Sequence, residues 1–294
     1  MKAGSLEARF VETKPNALPD RVDKIARARA QSADLTFKYL EGEVSRLHGL
    51  VTGQLVEQLK ILNKQVYDLK RLLYHPGLAV APSAFNGQFS KHRIFSALCG
   101  QFLFDAFVET GTYEGNTTRF LAHAGMPVYS VESNSDFYQK ASALLKDSPS
   151  VQLFLGDSPR ILEHLLSEVI PRNNLVFFYL DAHWYVPLPL GEEMRKIAAL
   201  HPRAVVMIDD IKVEGDEGYG YDSYGQTEEI SLAYLDTVLT ESNWRVFFPS
   251  MASAMDHNAC DILMPRGTAV AACEEGIVAT LKGMDDLRTG SSNH

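Results

Sequence analysis

Five apolar runs in this chain each close on a carboxylate, and helical segments separate one from the next. The runs span residues 102–109, 128–132, 151–155, 175–181 and 204–209, and the acids at or just beyond their ends are Glu109, Glu132, Asp157, Asp181 and Asp209. Between them the spacing predicts helices near 117–124, 135–145, 159–169 and 190–200. This is the βαβ cadence of a parallel sheet wrapped on both faces. The fourth and fifth runs, Leu175-Val176-Phe177-Phe178-Tyr179-Leu180 and Ala204-Val205-Val206-Met207-Ile208, are nearly continuous hydrophobe, as strands buried on both faces must be. In such sheets ligands bind beyond the carboxyl ends of the strands, so the acids share one rim. A helix over 85–100 leads into the first strand, and a further helix is expected over 228–240. Strands at 244–249 and 261–264, with no good helix between them, predict an antiparallel ending, and the tail from Ala269 onward reads as peripheral.

The first acid opens Glu109-Thr110-Gly111-Thr112-Tyr113-Glu114-Gly115-Asn116-Thr117, a strand-to-helix turn with two glycines four residues apart. Dinucleotide turns use G-x-G-x-x-G to bring amides to a pyrophosphate. Thr112 and Tyr113 crowd this loop and no third glycine follows, so the expected ligand is nucleotide-like without a pyrophosphate. Glu132 lies 23 residues after Glu109, the spacing at which a βαβ unit sets an acid beside a ribose. As a helix cap, Ser133 or Asn134 would serve better than Glu132. Asp157 and Ser158 end the third strand, either at a ligand or, for Asp157, as the cap of a helix begun by Pro159.

Asp181, Asp209 and Asp210 should emerge together, and three such anions repel one another unless a cation offsets them. Oxygen donors of this kind favour Mg²⁺ or a related divalent ion. His183, beside them and titratable near neutrality, is a candidate general base or a ligand. Four glycines and three tyrosines between Lys212 and Gly225 predict a mobile cover with flat rings for a substrate, and Tyr185 with Pro187 and Pro189 a stiffer wall.

The glycine turn resembles motif I of the class I S-adenosylmethionine (SAM)-dependent methyltransferases, and the strand pattern extends that resemblance over about residues 85–268. It implies a doubly wound, mostly parallel, seven-stranded α/β sheet, with Glu109, Gly111, Thr112, Tyr113, Gly115, Asn116, Thr117, Glu132, Ser133, Asp157, Ser158 and Asp181 facing SAM. The strand-end acids further resemble catechol and macrolide-sugar O-methyltransferases, which implies Asp181, Asp209 and Asp210 as ligands of Mg²⁺ and a hydroxylated small molecule, sugar or glycan as acceptor. The lysine base of the catechol enzymes is replaced by Trp184, so His183, with Asp181, is the expected catalytic pair. A metal-independent enzyme using His183, or a non-catalytic interaction protein with a methyltransferase-like domain, are the alternatives.

Before this domain, Leu40, Val44, Leu47 and Val51, then Leu55, Leu59, Leu62, Val66, Leu69 and Leu73, recur at alternating steps of three and four, with an added four-residue step between the blocks. The spacing predicts a long helix with a stutter, whose seam covers either its own domain or, as a period nearer 3.5 favours, another subunit in a homo-oligomer. Pro76-Gly77 and Pro82 end it, giving an arm over 1–80 and a catalytic domain over 81–294. Net charge is −9, divided as +4 over residues 1–75 and −13 thereafter, which argues against nucleic acid as a partner. No 18-residue apolar run or signal-like leader is present, and Cys99, Cys260 and Cys273 suggest neither disulfides nor zinc. The expected location is the cytoplasm.

Overall fold

The structure, a computed structural model, divides by its internal contacts into two units, Met1–Tyr74 and His75–His294. It describes residues 38, 40, 83–183, 187–224, 228–260 and 264–290. Lys38 and Leu40 are helical; the heptads from Leu55 to Leu73 lie outside the described residues, as do Trp184 and Tyr185. No helix among the described residues is long and apolar enough to cross a membrane.

The second unit is built on strands β1 (Ala106–Thr110), β2 (Val128–Glu132), β3 (Val151–Leu155), β4 (Val176–Leu180), β5 (Ala204–Asp209), β8 (Arg245–Pro249), β9 (Thr268–Ala272) and β10 (Leu287–Thr289). Two short strands, β6 (Ser223–Tyr224) and β7 (Glu228–Glu229), form a separate hairpin. The main sheet runs β10-β8-β9-β5-β4-β1-β2-β3. β1 to β5 pair in parallel, whereas β9 is antiparallel to β5 and β8, and β10 antiparallel to β8. This is the doubly wound sheet with reversed final strands that the resemblance implies, extended by one edge strand to eight. The helices are α1 (Phe89–Gln101), α2 (Asn116–Ala122), α3 (Ser135–Leu145), α4 (Ser158–His164), α5 (Leu190–Leu200), α6 (Leu232–Glu241), α7 (Ser253–Cys260) and α8 (Glu275–Lys282).

Alternation along the central strands feeds two cores. Val176, Phe178 and Leu180 of β4, with Ala204, Val206 and Ile208 of β5, pack with Leu162, Met194, Ile197, Leu235 and Val238 from α4, α5 and α6. Phe177 and Tyr179, with Val205 and Met207, pack with Ile94, Phe95, Leu98, Phe120 and Leu281 from α1, α2 and α8. Phe95 and Phe107 meet the Phe177 ring edge-on at centroid distances of 5.1 and 5.9 Å, so side chains 70 and more residues apart in sequence interlock here.

The ending of the chain corrects the sequence reading. Met264 belongs to no strand, residues 261–263 lie outside the described residues, and the strand of that sheet position is β9, all five of whose residues are buried. Helix α7 separates β8 from β9, and α8 and β10 follow. Thr268-Ala269-Val270-Ala271-Ala272 is short and alanine-rich, poor in the residues that favour strands by themselves, so its place is set by its two neighbours. The first strand likewise starts at Ala106 rather than at Phe102, which caps α1. Residues 228–231 join the hairpin and then cap α6 through Ser231, whose hydroxyl accepts from Tyr234 N–H at 3.3 Å.

A carboxyl group on the helix side also enters the apolar layer. Glu193 of α5 is 1% exposed and faces the hydroxyls of Ser158 and Thr110; burial outweighs their pull and raises its pKa to about 7. A carboxyl whose folded pKa exceeds its unfolded one contributes stability that is fully present at low pH and is lost as pH rises through the folded value. Glu193→Gln is therefore expected to gain in melting temperature over the wild type as pH goes from about 5 to about 8; a constant difference across that range would show that the group does not titrate there. A chain ending at residue 266 lacks the strand between β5 and β8 and is expected to show no cooperative melting by circular dichroism. A cooperative transition in that fragment would make the C-terminal strands dispensable.

Candidate active site

At the end of β1 the backbone turns under constraint. Gly111 has φ +85°, and a Cβ there would lie 2.3 Å from the Asp181 carbonyl oxygen, so only glycine lets the loop press on the end of β4. Gly115, φ +84°, caps α2, and a Cβ would press on Ala141 and Leu145 of α3 at 3.1–3.3 Å. Tyr113 between them also takes a left-handed φ of +51°, with its ring against Phe137 at 4.4 Å. Gly111 and Thr112 both donate their N–H to the Val131 carbonyl of β2, while the Thr112 and Ser130 hydroxyls meet at 2.5 Å. Asn116 opens α2, and the Thr117 hydroxyl accepts the Phe85 N–H at 3.0 Å.

Glu109 does not face this turn from outside. It is fully buried beneath it, and its Oε2 accepts from the Ser130 hydroxyl at 2.5 Å and from the Thr118 hydroxyl. Burial raises its pKa to about 7 against those two bonds. Glu109 thus clamps α2 to β2 under the loop, a structural place that the order of residues in the motif does not distinguish from a ligand-facing one.

Glu132 at the end of β2 is 7% exposed, and its two oxygens accept Tyr113 N–H at 2.7 Å and Asn134 N–H at 2.8 Å. It joins the glycine loop to the start of α3, which Asn134 caps by accepting from Asp136 and Phe137. Ser133 is exposed beside it. Asp157 is exposed and caps α4, accepting Arg160 N–H at 3.4 Å, whereas Ser158 is buried and turned toward Glu193.

Beyond β4 and β5 the acids divide. Asp209 is fully buried: its Oδ1 accepts Asp210 N–H at 2.9 Å and pairs with the Lys91 ammonium, and its Oδ2 accepts the Tyr179 hydroxyl at 2.5 Å. Asp210, with a left-handed φ of +50°, turns the other way. Its Oδ1 accepts Arg266 Nε–H at 2.9 Å and stands 3.8 Å from Lys91 Nζ. Arg266 also pairs with Asp222. His183 is 1% exposed, and its Nε2, 3.8 Å from Asp181 Oδ1, has no hydrogen-bond partner. One donor atom from each of Asp181, His183 and Asp210 lies within 4.8 Å of the others. An orphaned imidazole nitrogen facing two carboxylates is a donor set that fits a divalent cation, and Asp209 stands outside it.

Electrostatics follow this division. Burial and the neighbouring Asp209 and Asp210 push the Asp181 pKa well above the carboxylate range. Burial also raises that of Asp210, but Lys91 and Arg266 together outweigh it and hold the carboxyl low. Desolvation lowers the His183 pKa, keeping the ring neutral at pH 7 and its nitrogen lone pair free. The neutralising cations, Lys91 and Arg266, were not visible as site residues in sequence. Lys91 is remote from every motif, and Arg266 follows the misplaced last strand. Tyr179 did leave a signal, being the sole polar side chain in the run 175–180.

The segment after β5 is packed down rather than loose. Lys212 N–H bonds to Ile230 O at 2.8 Å, Asp222 N–H to Asp210 O at 2.9 Å and Gly220 N–H to Pro265 O at 2.8 Å. Its tyrosines turn inward. Tyr219 is 2% exposed and donates to Met251 O at 3.0 Å, Tyr221 donates to Glu229 at 3.3 Å, and Tyr224 donates to Asp222 at 2.9 Å and to the His183 carbonyl. The mobile cover with rings free for a substrate is thus replaced by a strap that fixes the His183 backbone. Pro187 is exposed and Pro189 caps α5.

No protein-family model and no curated protein matches the chain. Among solved structures it is similar to an O-methyltransferase from Bacillus cereus in complex with SAH, at 15% identity and a TM-score of 0.45, covering 73% of this chain and 97% of that one. It is likewise similar to a SAM-dependent methyltransferase from Aquifex aeolicus, at 14% identity and a TM-score of 0.40, covering 71% and 94%. An S-adenosylmethionine-dependent methyltransferase from Clostridium acetobutylicum aligns at 12% identity and a TM-score of 0.42, covering 68% and 98%.

Proposed function

We propose that this chain is a SAM-dependent methyltransferase that alkylates an oxygen of a hydroxylated small molecule, sugar or glycan, with a divalent cation held by Asp181, His183 and Asp210. The observation that carries this reading is the close approach of Gly111 to the Asp181 carbonyl, which sets the glycine turn and the acid–imidazole group side by side on one rim. The turn from Gly111 to Gly115 would seat the methionine part of the cofactor. Glu132, its carboxylate already fixed by two amides, keeps lone pairs for ribose hydroxyls. Asp157, exposed at the end of β3, would accept from the adenine amine. Bound SAM supplies an electrophilic methyl on a sulfonium, so the protein's part is alignment rather than covalent catalysis. A cation at this site would lower the pKa of an acceptor hydroxyl. The imidazole donor widens the choice from Mg²⁺ toward Mn²⁺ and related ions.

A second reading is favoured by Lys91 and Arg266, which already offset part of the charge. In it no ion is needed, and His183, neutral with an unpartnered Nε2, takes the hydroxyl proton itself.

Two measurements test these readings. Glu132→Ala is expected to lower SAM affinity about tenfold or more by calorimetry, the loss of charge-assisted hydrogen bonds; unchanged affinity would remove Glu132 from the cofactor site. Titration with Mn²⁺ followed by electron paramagnetic resonance should give one bound ion per chain, weakened about tenfold or more in Asp181→Asn. If the wild type leaves all the Mn²⁺ free, the second reading stands instead.

A further inference from the structure

Lys91 is the least expected member of this site. It is carried by α1, ahead of β1, and its side chain is fully buried with the ammonium against Asp209 and 3.8 Å from Asp210. An ammonium in such a place is tolerated only beside compensating anions, and Asp209 and Asp210 outweigh the cost of its burial. Its neighbours are fixed by polar bonds. Ser90 N–H donates to Asp256 Oδ1 at 3.0 Å and the Ser90 hydroxyl to Asp256 Oδ2 at 2.5 Å. Gln88 donates to Asp256 Oδ2 at 3.1 Å and accepts Arg266 N–H at 2.8 Å. One network therefore sets the position of both cations. With Lys91 and the Asp210 N–H on one oxygen and the Tyr179 hydroxyl on the other, Asp209 is engaged at both oxygens and contributes no donor atom to the group formed by Asp181, His183 and Asp210.

We infer that Lys91 is a positioning residue: it draws Asp209 out of the ligand set, leaves a single cation site bounded by Asp181, His183 and Asp210, and supplies the charge that Asp209 would otherwise take from a divalent ion. The inference rests on the metal-assisted reading above. Two variants in the full chain, Lys91→Met and Lys91→Met/Asp209→Asn, are compared with the wild type by melting in EDTA and in excess Mn²⁺ and by Mn²⁺ titration. Lys91→Met is expected to melt below the wild type in EDTA and to recover far more than the wild type does when Mn²⁺ is added. The double variant, with both partners of the pair removed, is expected to lose that ion dependence and to bind Mn²⁺ within about threefold of the wild type, far short of the tenfold or greater loss expected when a ligand or its support goes. A tenfold or greater loss in the double variant makes Asp209 a ligand and overturns the inference. So does a Lys91→Met protein that gains nothing extra from Mn²⁺, or that fails to fold even in its presence. A wild type that binds no Mn²⁺ is a failure of the underlying reading, and is told apart because the ion dependence of Lys91→Met is read separately.

Discussion

Burial of β1, β4 and β5 on both faces is the constraint from which the rest of the structure follows. A strand covered by helices on each side carries polar side chains only where each finds a partner, since an unpaired one costs several kcal/mol, about 2–7 by transfer measures. Two polar side chains short of the strand ends obey it. Glu109 is held by two hydroxyls, and the Tyr179 hydroxyl ends on Asp209. All other polarity is displaced to the strand ends, and because β1 to β5 run in parallel those ends lie along one edge. The concentration of acids there is a geometric result of the topology before it is a functional one.

That same constraint made most of the fold legible in the sequence. Runs such as residues 175–180 admit few other placements, and the turn chemistry of Gly111 and Gly115 agrees with the positive φ found at both. Asn134 and Ser231 cap helices as their residue types favour. What failed was β9, where three alanines among five residues weaken the intrinsic preference and leave the segment dependent on β5 and β8 to become a strand. The segment after β5 misled for a related reason: glycines and tyrosines signal a loop, but the tyrosine hydroxyls were satisfied by backbone carbonyls and carboxylates that composition does not reveal.

At the candidate site, legibility stopped at sidedness. Sequence order places Glu109, Asp209 and Asp210 at strand ends without saying which face inward, and the structure turns Glu109 and Asp209 into the protein and Asp210 toward His183. The left-handed backbone at Asp210 separates two adjacent carboxylates that would otherwise share one environment. The compensating charge comes from α1 and from the segment just before β9, both far from the acids along the chain, so no local window could contain it.

The position of β9 has a bearing on how the chain acquires this form. Its pairing of Ala271 with Val206 joins residues 65 apart, and the ion pair of Lys91 with Asp209 joins residues 118 apart. During synthesis the five parallel strands leave the ribosome first, yet the outer edge of β5 stays unpaired until the last of them has been followed by some 60 residues more. Contacts of such span are slow to form, and an unpaired apolar edge is open to the wrong partner in the interval. The nascent chain therefore exposes its most hydrophobic edge while waiting for its least distinctive strand.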